Sequence, residues 1–295
     1  MIPEQPTPTT IVTEALRRFY NGGDPDADEI QRGIDYGIEK VKRDIMGAGK
    51  TWRPLIKTDY LITRPSIPHY ANPADFEGFY TVGVMSQSHE GVIANVGDST
   101  TLTLAPACTA TKAEAEGKTL FIKTGTGALQ ARIIYSYNPT TKRCVLADAL
   151  TTLPAPLDEY AIVNRIKDIS YIQTARYDQF ENPGKPGTPL RYTTLPDDSV
   201  GKTAFQPVPD TDYGIRRRYF VDLLKLDTDS ALYMVILRRW AGLLEQGVLS
   251  WKLQEDDDRY QEQYGIYQAM LLHTMAHDMV GFDAEQAAKA AGAAG

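Results

Sequence analysis

The chain has 295 residues, 42% of them hydrophobic, a formal net charge of −7 and two cysteines, Cys108 and Cys144. Its length predicts two structural units with a sizeable core, and its cysteine count excludes a disulfide framework, so two reduced, packed thiols are expected, with one bridge as the alternative. The acidic balance, with a pI near 5.2, excludes a general attraction for nucleic acid or anionic membranes, so that any contact with DNA would be local or repulsive.

The N-terminal residues argue against export and against a membrane anchor. The segment MIPEQPTPTT lacks a positively charged end followed by an apolar block, and no apolar run in the sequence reaches membrane-spanning length. We therefore expect a soluble protein without a signal peptide. Pro3, Pro6 and Pro8 predict an extended arm that becomes ordered only on a partner.

Two helices are predicted before residue 50. The first begins near Thr10 and ends at the Asn-Gly-Gly turn, residues 21–23. The second starts after Asp26, which together with Glu29 resembles a capping box. Its apolar residues recur at helical spacing along one stripe: Ile30, Ile34, Ile38, Val41 and Ile45.

Two glycines interrupt this second helix. Gly33 and Gly37 would each weaken an isolated helix by about 1 kcal/mol relative to alanine. Their presence indicates that another part of the chain approaches closely at these positions. We expect that partner to be the C-terminal helices.

The middle of the chain loses the helical period and gains proline, threonine and β-branched residues. Residues 51–89 are predicted as short strands and connecting loop, with 59–63 the best strand. Residues 90–165 are predicted as an inserted antiparallel β barrel or sandwich, because turn signals separate strands with no helical pattern between them. The predicted strands are 100–104, 119–123, 131–137, 143–147 and 159–163.

A second small β region is predicted over 166–227, with strands near 170–175, 190–195, 203–206 and 213–221. The proline- and glycine-rich loop 182–187 is expected to project from it. In the last strand, alternation places Arg217 on one face and Arg216 and Arg218 on the other. We expect this basic strip to pair with carboxylates at a subunit contact rather than with nucleic acid.

The C-terminal segment, residues 228–295, is predicted as two helices and an Ala/Gly-rich tail that only a partner orders. The apolar face of the first helix carries Leu232, Val235, Ile236, Trp240, Leu243 and Leu244. Gly247 marks the expected end of that helix. An acidic turn, residues 255–258, is interpreted as a solvated first turn rather than a metal site. The second helix then carries the stripe Tyr260, Tyr264, Tyr267 and Leu271.

These aromatic seams need further helices to cover them, and the N-terminal helices are the candidates. The predicted fold is therefore α+β: residues 1–50 and 228–295 form one discontinuous helical domain, with the inserted β domain and the second small β region between them.

No motif supports catalysis, a metal or a cofactor. The Gly-Lys-Thr triplet at 49–51 lacks the earlier glycine of a phosphate-binding loop, because that position is Asp44. His273 and His277 have metal-binding spacing but no third ligand nearby in sequence. The Gly-Thr-Gly turn at 125–127 is followed by no helix that could hold phosphate. We therefore predict a non-enzymatic structural or binding protein.

Two parts of the sequence resemble structural proteins of tailed bacteriophages. The segment GKTLFIKTGTGALQARIIYSYN, residues 117–138, and the strands at 143–149 and 160–163 resemble a β module that recurs in virion proteins. The part that runs from residue 207 through the arginine-rich strand to the helices around Trp240 is similar to head-to-tail adaptor proteins of the phage neck. With the N-terminal helices, this resemblance covers most of the chain.

The resemblance implies a ring, usually of twelve subunits, beneath the portal in the virion neck, assembled after synthesis in the host cytoplasm. Its partners would be further copies of the chain, the portal protein and tail, nozzle or tail-fibre proteins, while DNA passes through the channel without sequence-specific binding. The residues that we expect at these contacts are Arg216, Arg217, Arg218, Trp240, Tyr260, Tyr264 and Tyr267.

Two other classes stay open. A host-surface protein that binds glycans, or a capsid-associated protein, is the first alternative, because the β module recurs in other virion proteins. An enzyme or a small-ligand binder is the second.

Overall fold

The computed structural model describes residues 7–48, 52–177, 185–196, 201–224, 231–254 and 259–278, except for the side chains of residues 231, 232, 234 and 235. The fold is mixed α+β, as the sequence predicted, with helices towards both ends of the chain and strands between them. Several predictions lie outside the described residues: the arm up to Pro6, the triplet 49–51, residues 182–184 of the projecting loop, the acidic turn 255–258 and the tail.

The chain forms two compact units. The helical unit consists of Met1–Lys57, Ala74–Gly78 and Phe220–Gly295, and the β unit consists of Thr58–Pro73 and Phe79–Tyr219. The domain limits deduced from the sequence differ from these ranges and stay predictions.

The helices are α1 (Pro8–Phe19), α2 (Ala27–Arg32), a π-helical segment (Gly33–Ile38), α3 (Glu39–Ala48), a 3-10 turn (Arg53–Leu55), α4 (Lys112–Ala115), α5 (Thr174–Tyr177), α6 (Ala231–Leu253) and α7 (Tyr260–Asp278). The strands are β1 (Ile56–Ile62), β2 (His69–Ala71), β3 (Phe76–Asp98), β4 (Thr101–Leu104), β5 (Thr119–Ile122), β6 (Gln130–Asn138), β7 (Arg143–Leu146), β8 (Glu159–Asp168), β9 (Ser170–Tyr171), β10 (Arg191–Leu195), β11 (Lys202–Gln206) and β12 (Gly214–Val221).

Side-chain caps begin the first two helices. The Thr10 amide donates to the Thr7 hydroxyl at 3.1 Å, and the Glu29 amide donates to the Asp26 carboxylate at 2.8 Å. The predicted start after Asp26 is therefore confirmed. The Glu29 carboxylate does not complete the box, because it accepts instead from Lys252 of α6 at 3.1 Å.

The glycines of the second helical stretch are positions of close packing. A Cβ atom at Gly37 would lie 3.1 Å from the Trp251 ring of α6, which confirms the expected approach of a C-terminal helix. A Cβ atom at Gly33 would lie 2.4 Å from Val12, so the neighbour there is α1 and that part of the prediction is wrong. Both glycines belong to the π-helical segment.

The predicted end of α6 at Gly247 is wrong. The helix continues to Leu253, and Gly247 lies where α6 meets two other helices. A Cβ atom at Gly247 would lie 2.2 Å from Val41 of α3 and 2.9 Å from Tyr267 of α7. The glycine is therefore required by packing and not by helix termination.

The strands of the described residues form two sheets. The larger has the order β1-β12-β3-β4-β7-β6-β5-β8, and β3 also pairs with β8, so each of the last six strands has at least two paired neighbours. The smaller has the order β2-β11-β10-β9. These last six strands of the larger sheet pack on an apolar core that includes Ile93, Leu102, Ile134 and both cysteines, which are free thiols.

Three strand predictions need correction. The short strands and loop expected over 51–89 include the beginning of one continuous 23-residue strand, β3. The strand β12, which we placed in the second β region, belongs to the larger sheet. The strand expected at 170–175 ends at Tyr171, and α5 follows it. Within the described residues, no helix is both long and apolar enough to cross a membrane.

Candidate partner-binding surfaces

The three arginines of β12 occupy different environments. Arg217 is 5% exposed, and its guanidinium pairs with Asp59 and donates to the Ala71 carbonyl at 2.9 Å. This confirms the predicted alternation, because Arg216 and Arg218 are both half-buried on the other face. Arg217 therefore holds β12 and its neighbouring segments together inside the β unit, where charge pairing satisfies a buried guanidinium.

Arg216 and Arg218 are the part of the basic strip that solvent reaches. The Arg216 guanidinium lies 3.7 Å from the Asp168 carboxylate, and its buried Nε has no hydrogen-bond partner among the described residues. The Arg218 guanidinium lies over the Tyr80 ring, 4.9 Å from its centroid. Both charges are thus only weakly compensated by these two contacts.

Two of the predicted contact residues are buried in the helical unit. Trp240 packs edge-to-face on Trp52 with ring centroids 5.3 Å apart, and its Nε1 donates to Asp278 at 2.7 Å. Tyr267 is fully buried and donates to the Asp44 carboxylate at 2.9 Å. Burial, with the nearby Asp44 charge, raises the pKa of Tyr267. Both rings therefore contribute to the core of the unit.

The remaining two tyrosines of the seam are half-buried. Tyr260 and Tyr264 stack with ring centroids 5.4 Å apart, and the Lys40 ammonium lies 5.8 Å from the Tyr264 centroid. The structure thus brings the α7 tyrosines together in one stripe, as predicted, but leaves only these two partly accessible.

A groove between α6 and α7, here called the helical groove, lies beside the buried Trp240. Its volume is about 450 Å³, and its lining comprises Arg239, Trp240, Gly242, Leu243, Ile266, Ala269, Met270, His273 and Thr274. Arg239 and Trp240 close one end of it by holding Asp278, the last described residue of α7. The groove is concave and mostly apolar, which is typical of a binding surface.

Asp278 carries a negative charge at that end of the groove. Burial by itself raises the pKa of this carboxyl, but hydrogen bonds from Arg239 and Trp240 outweigh burial and lower its pKa below the ordinary value. Asp278 is therefore charged at neutral pH. A carboxylate at a helix C-terminus opposes the helix dipole, so these donors are what stabilises it there.

Three exposed leucines, here together called the leucine surface, lie on the loops that follow β5 and β7. Leu129, Leu153 and Leu157 are 43%, 47% and 77% exposed. Leu129 and Leu157 have φ angles of +62° and +77°, a left-handed conformation that leucine rarely adopts. Leu157 in particular buries little of its side chain within the chain although its backbone is strained, a combination that occurs at functional sites.

The loops that carry the leucine surface are tied to each other. The Gln130 side-chain amide donates to the Gly127 carbonyl at 3.0 Å and to the Thr152 carbonyl at 2.8 Å, while its oxygen accepts from the Thr151 amide at 2.7 Å. A Cβ atom at Gly127 would lie 2.8 Å from the backbone of Pro154. The leucines are therefore presented by an ordered scaffold.

Sequence reasoning did not identify either apolar surface. The signal for the leucine surface is the uncharged run ALTTLPAPL at 149–157, but such a run is equally typical of a proline-containing loop between two strands. The helical groove has no such signal, because the spacing of Ile266 and Met270 is equally typical of a buried helix face.

The two thiols lie in the β unit, and the two C-terminal histidines lie in the helical unit. The Cys108 and Cys144 thiols lie in the β core, where burial raises the pKa of Cys144 to about 12. The His273 and His277 rings lie 4.5 Å apart on an exposed face, and the described residues contain no group of three potential ligands that could hold a metal. Low thiolate character makes Cys144 a poor nucleophile.

No protein-family model matches the sequence, and no curated protein matches it.

Proposed function

We propose that this chain is a structural virion protein of a tailed bacteriophage, an adaptor that joins a ring beneath the portal and links it to the tail. The observation that carries the proposal is the presence of two unlike apolar surfaces, the leucine surface and the helical groove, within the described residues. A closed ring needs two different contact faces on every subunit. The resemblance to neck adaptors supplies the biological setting.

Further features support an assembly role. The six-strand group joined by β3 and β8 is proposed to be a closed barrel, which removes exposed sheet edges and makes a rigid inserted domain. The N- and C-terminal helices, which precede and follow this inserted domain in the sequence, are proposed to form one discontinuous domain. The net charge of −7 suits a channel wall, because strong phosphate contacts would hinder the passage of DNA.

Ring assembly should depend on the portal. Association costs several kcal/mol of translational and rotational freedom, so a subunit with modest contact faces is expected to stay monomeric until a preformed ring supplies extra interface. We also propose contacts with portal, tail or neighbouring copies at four half-buried residues: Arg216, Arg218, Tyr260 and Tyr264.

The test is to mix the purified protein with the portal protein of the same virus and to measure mass by native mass spectrometry. Ring-sized complexes, of about twelve adaptor copies, are expected only when portal is present. A protein that stays monomeric beside portal rings would refute the proposal. Binding to cell-surface glycans in the same preparation would favour the host-surface alternative instead.

A further inference from the structure

We propose that Cys108 is an oxidation site, at which hydrogen peroxide converts the thiol to a sulfenic acid that the hydroxyls of Tyr137 and Tyr160 stabilise. All three residues lie within the β unit. The site does not depend on the proposed ring assembly, because none of its residues belongs to the leucine surface or to the helical groove.

Hydroxyl groups surround the Cys108 sulfur. The Tyr137 hydroxyl donates to Sγ at 3.5 Å, inside the apolar core on which the last six strands of the larger sheet pack. The Tyr160 hydroxyl lies beside Cys108 in the same core and is fully buried. It forms no hydrogen bond of good geometry with any described residue. Because a buried donor without an acceptor is costly, an added oxygen on the sulfur would stabilise this hydroxyl.

The same groups favour a negatively charged sulfur. Burial alone would raise the pKa of the Cys108 thiol, but the hydrogen bond from Tyr137, the approach of the Tyr160 hydroxyl and the Ala110 amide outweigh burial and lower this pKa below its ordinary value. Burial raises the pKa of both tyrosine hydroxyls, so they keep their protons and can donate at neutral pH. Since the thiolate is the nucleophilic form of cysteine, this environment increases the reactive fraction of Cys108.

The second thiol of the core is placed differently. Cys144 lies opposite Tyr137 in the ladder between β6 and β7, whereas Cys108 is contacted by the hydroxyl of that tyrosine. The two cysteines therefore meet opposite ends of one tyrosine side chain. A disulfide usually needs Cα atoms about 4.4–6.8 Å apart, and this placement disfavours one. We therefore expect the oxidised Cys108 sulfur to remain a sulfenic acid and not to bridge to Cys144.

Cys108 is the nearer of the two thiols to solvent. It belongs to the loop between β4 and α4, in which Pro106, Ala107 and Thr109 are exposed. Cys108 is 4% exposed, while Cys144 has no exposed surface on β7, which pairs with a strand on each side. Hydrogen peroxide is scarcely larger than water, so a small local opening of this loop is enough to admit it.

The oxidation step uses one thiol and one hydrogen peroxide molecule. The Cys108 thiolate attacks one peroxide oxygen, so that an S–O bond forms and the O–O bond breaks. The departing hydroxide takes up the proton that the thiol released and leaves as water. The sulfur loses two electrons, which the peroxide gains. The product is a sulfenic acid, whose oxygen can accept hydrogen bonds from the two tyrosines.

The test treats the folded, full-length protein with hydrogen peroxide, removes the peroxide with catalase and then unfolds the protein in the presence of dimedone, a reagent for sulfenic acids. Peptide mass spectrometry locates the label. Label is expected on Cys108 and not on Cys144, which serves as the control within the same core. Equal label on both thiols, or label that appears only when peroxide is added after unfolding, would overturn the inference. A disulfide between the two cysteines would overturn it as well.

A pair of variants tests the role of the hydroxyls. Tyr137→Phe removes the donor and keeps the ring, so the rate of Cys108 oxidation at neutral pH is expected to fall about tenfold and the midpoint of its pH profile to move upward. Tyr135→Phe is the matched control, because Tyr135 lies on the same strand and is 74% exposed. A folded Tyr137→Phe variant whose pH midpoint equals that of the control would refute stabilisation by the hydroxyl, whether or not its rate changed.

Discussion

Replacement of Gly247 by alanine is expected to destabilise the helical unit, although this change stabilises most helix interiors. A glycine-to-alanine change inside a helix gains about 1 kcal/mol from backbone entropy alone. At Gly247 the added Cβ would lie 2.2 Å from Val41 and 2.9 Å from Tyr267. Both neighbours are fully buried, so neither can turn into solvent to make room.

The size of the effect follows from these two opposing terms. Overpacking of a well-packed core costs about 1–3 kcal/mol, and contacts this short on two sides favour the upper part of that range. After the gain of about 1 kcal/mol in propensity, a net loss of about 1–2 kcal/mol remains. For a chain of this size each kcal/mol corresponds to about 2–4 °C in Tm.

Thermal unfolding followed by circular dichroism measures this loss, and α7 provides a matched control. Gly265 is also inside a helix, but it is exposed and a Cβ there would meet nothing within 4 Å among the described residues. Gly265→Ala should therefore raise Tm. Removing the colliding methyl groups with Val41→Ala should make Gly247→Ala less costly in the double variant. If Gly247→Ala stabilises as much as Gly265→Ala, the packing argument is refuted.

Two further predictions concern Asp278 and Leu157. Hydrogen bonds from Arg239 and Trp240 lower the pKa of Asp278, so its contribution to stability is full above the unfolded pKa of about 4 and is lost as the pH falls through the lower folded pKa. Asp278→Asn should therefore cost about 1–2 kcal/mol at neutral pH and flatten the acid dependence of stability; urea unfolding at several pH values measures this, and parallel profiles for the two proteins would contradict it. Leu157→Asn should raise the stability of the free protein by about 0.5–1 kcal/mol, because asparagine tolerates a left-handed backbone, and a lowered Tm would show instead that the leucine packs within its own chain.

The sequence predicted the features of the fold that depend on local patterns. The strands near 100–104 and 143–147 follow from alternation between strong turn signals, and the Asn138 carboxamide that accepts from the Thr140 amide at 2.9 Å is such a signal. The start of α2 follows from Asp26, whose side chain satisfies a free amide of the first turn. These interactions involve residues only a few positions apart, so the sequence displays them directly.

Long-range packing explains why other features were missed. The strand β3 contains Gly83 and Gly91, which resemble breaks when only the sequence is considered. A Cβ at Gly83 would lie 2.6 Å from Ile166, and one at Gly91 would lie 3.1 Å from the Tyr160 hydroxyl. Glycine therefore permits close approach within a continuous strand there. The partners lie some 70 to 80 residues away, and no local pattern reveals them.

Long-range packing also decides which of the predicted contact residues solvent can reach. Periodicity identified Trp240 and Tyr267 as residues that must be covered and indicated the N-terminal helices as their cover, but it could not show that this packing buries both rings completely. An exposed leucine, by contrast, carries no periodic signal at all. The Leu157 amide donates to the Ile93 carbonyl at 2.8 Å. This hydrogen bond helps to fix the path of the loop, and the path leaves the leucine side chain exposed.

Order in these loops bears directly on assembly. An interface formed by mobile loops would lose about 0.5–1.5 kcal/mol for each side chain that binding immobilises. Here Gln130 holds both loops of the leucine surface in place before any partner arrives, through hydrogen bonds of 2.7–3.0 Å. Preorganisation lets a small apolar contact contribute most of its burial to association. Even so, one such contact is weak. In the proposed assembly, a portal ring would hold many copies side by side and raise their effective concentration. We therefore propose that the subunit stays free in solution and assembles only on its template.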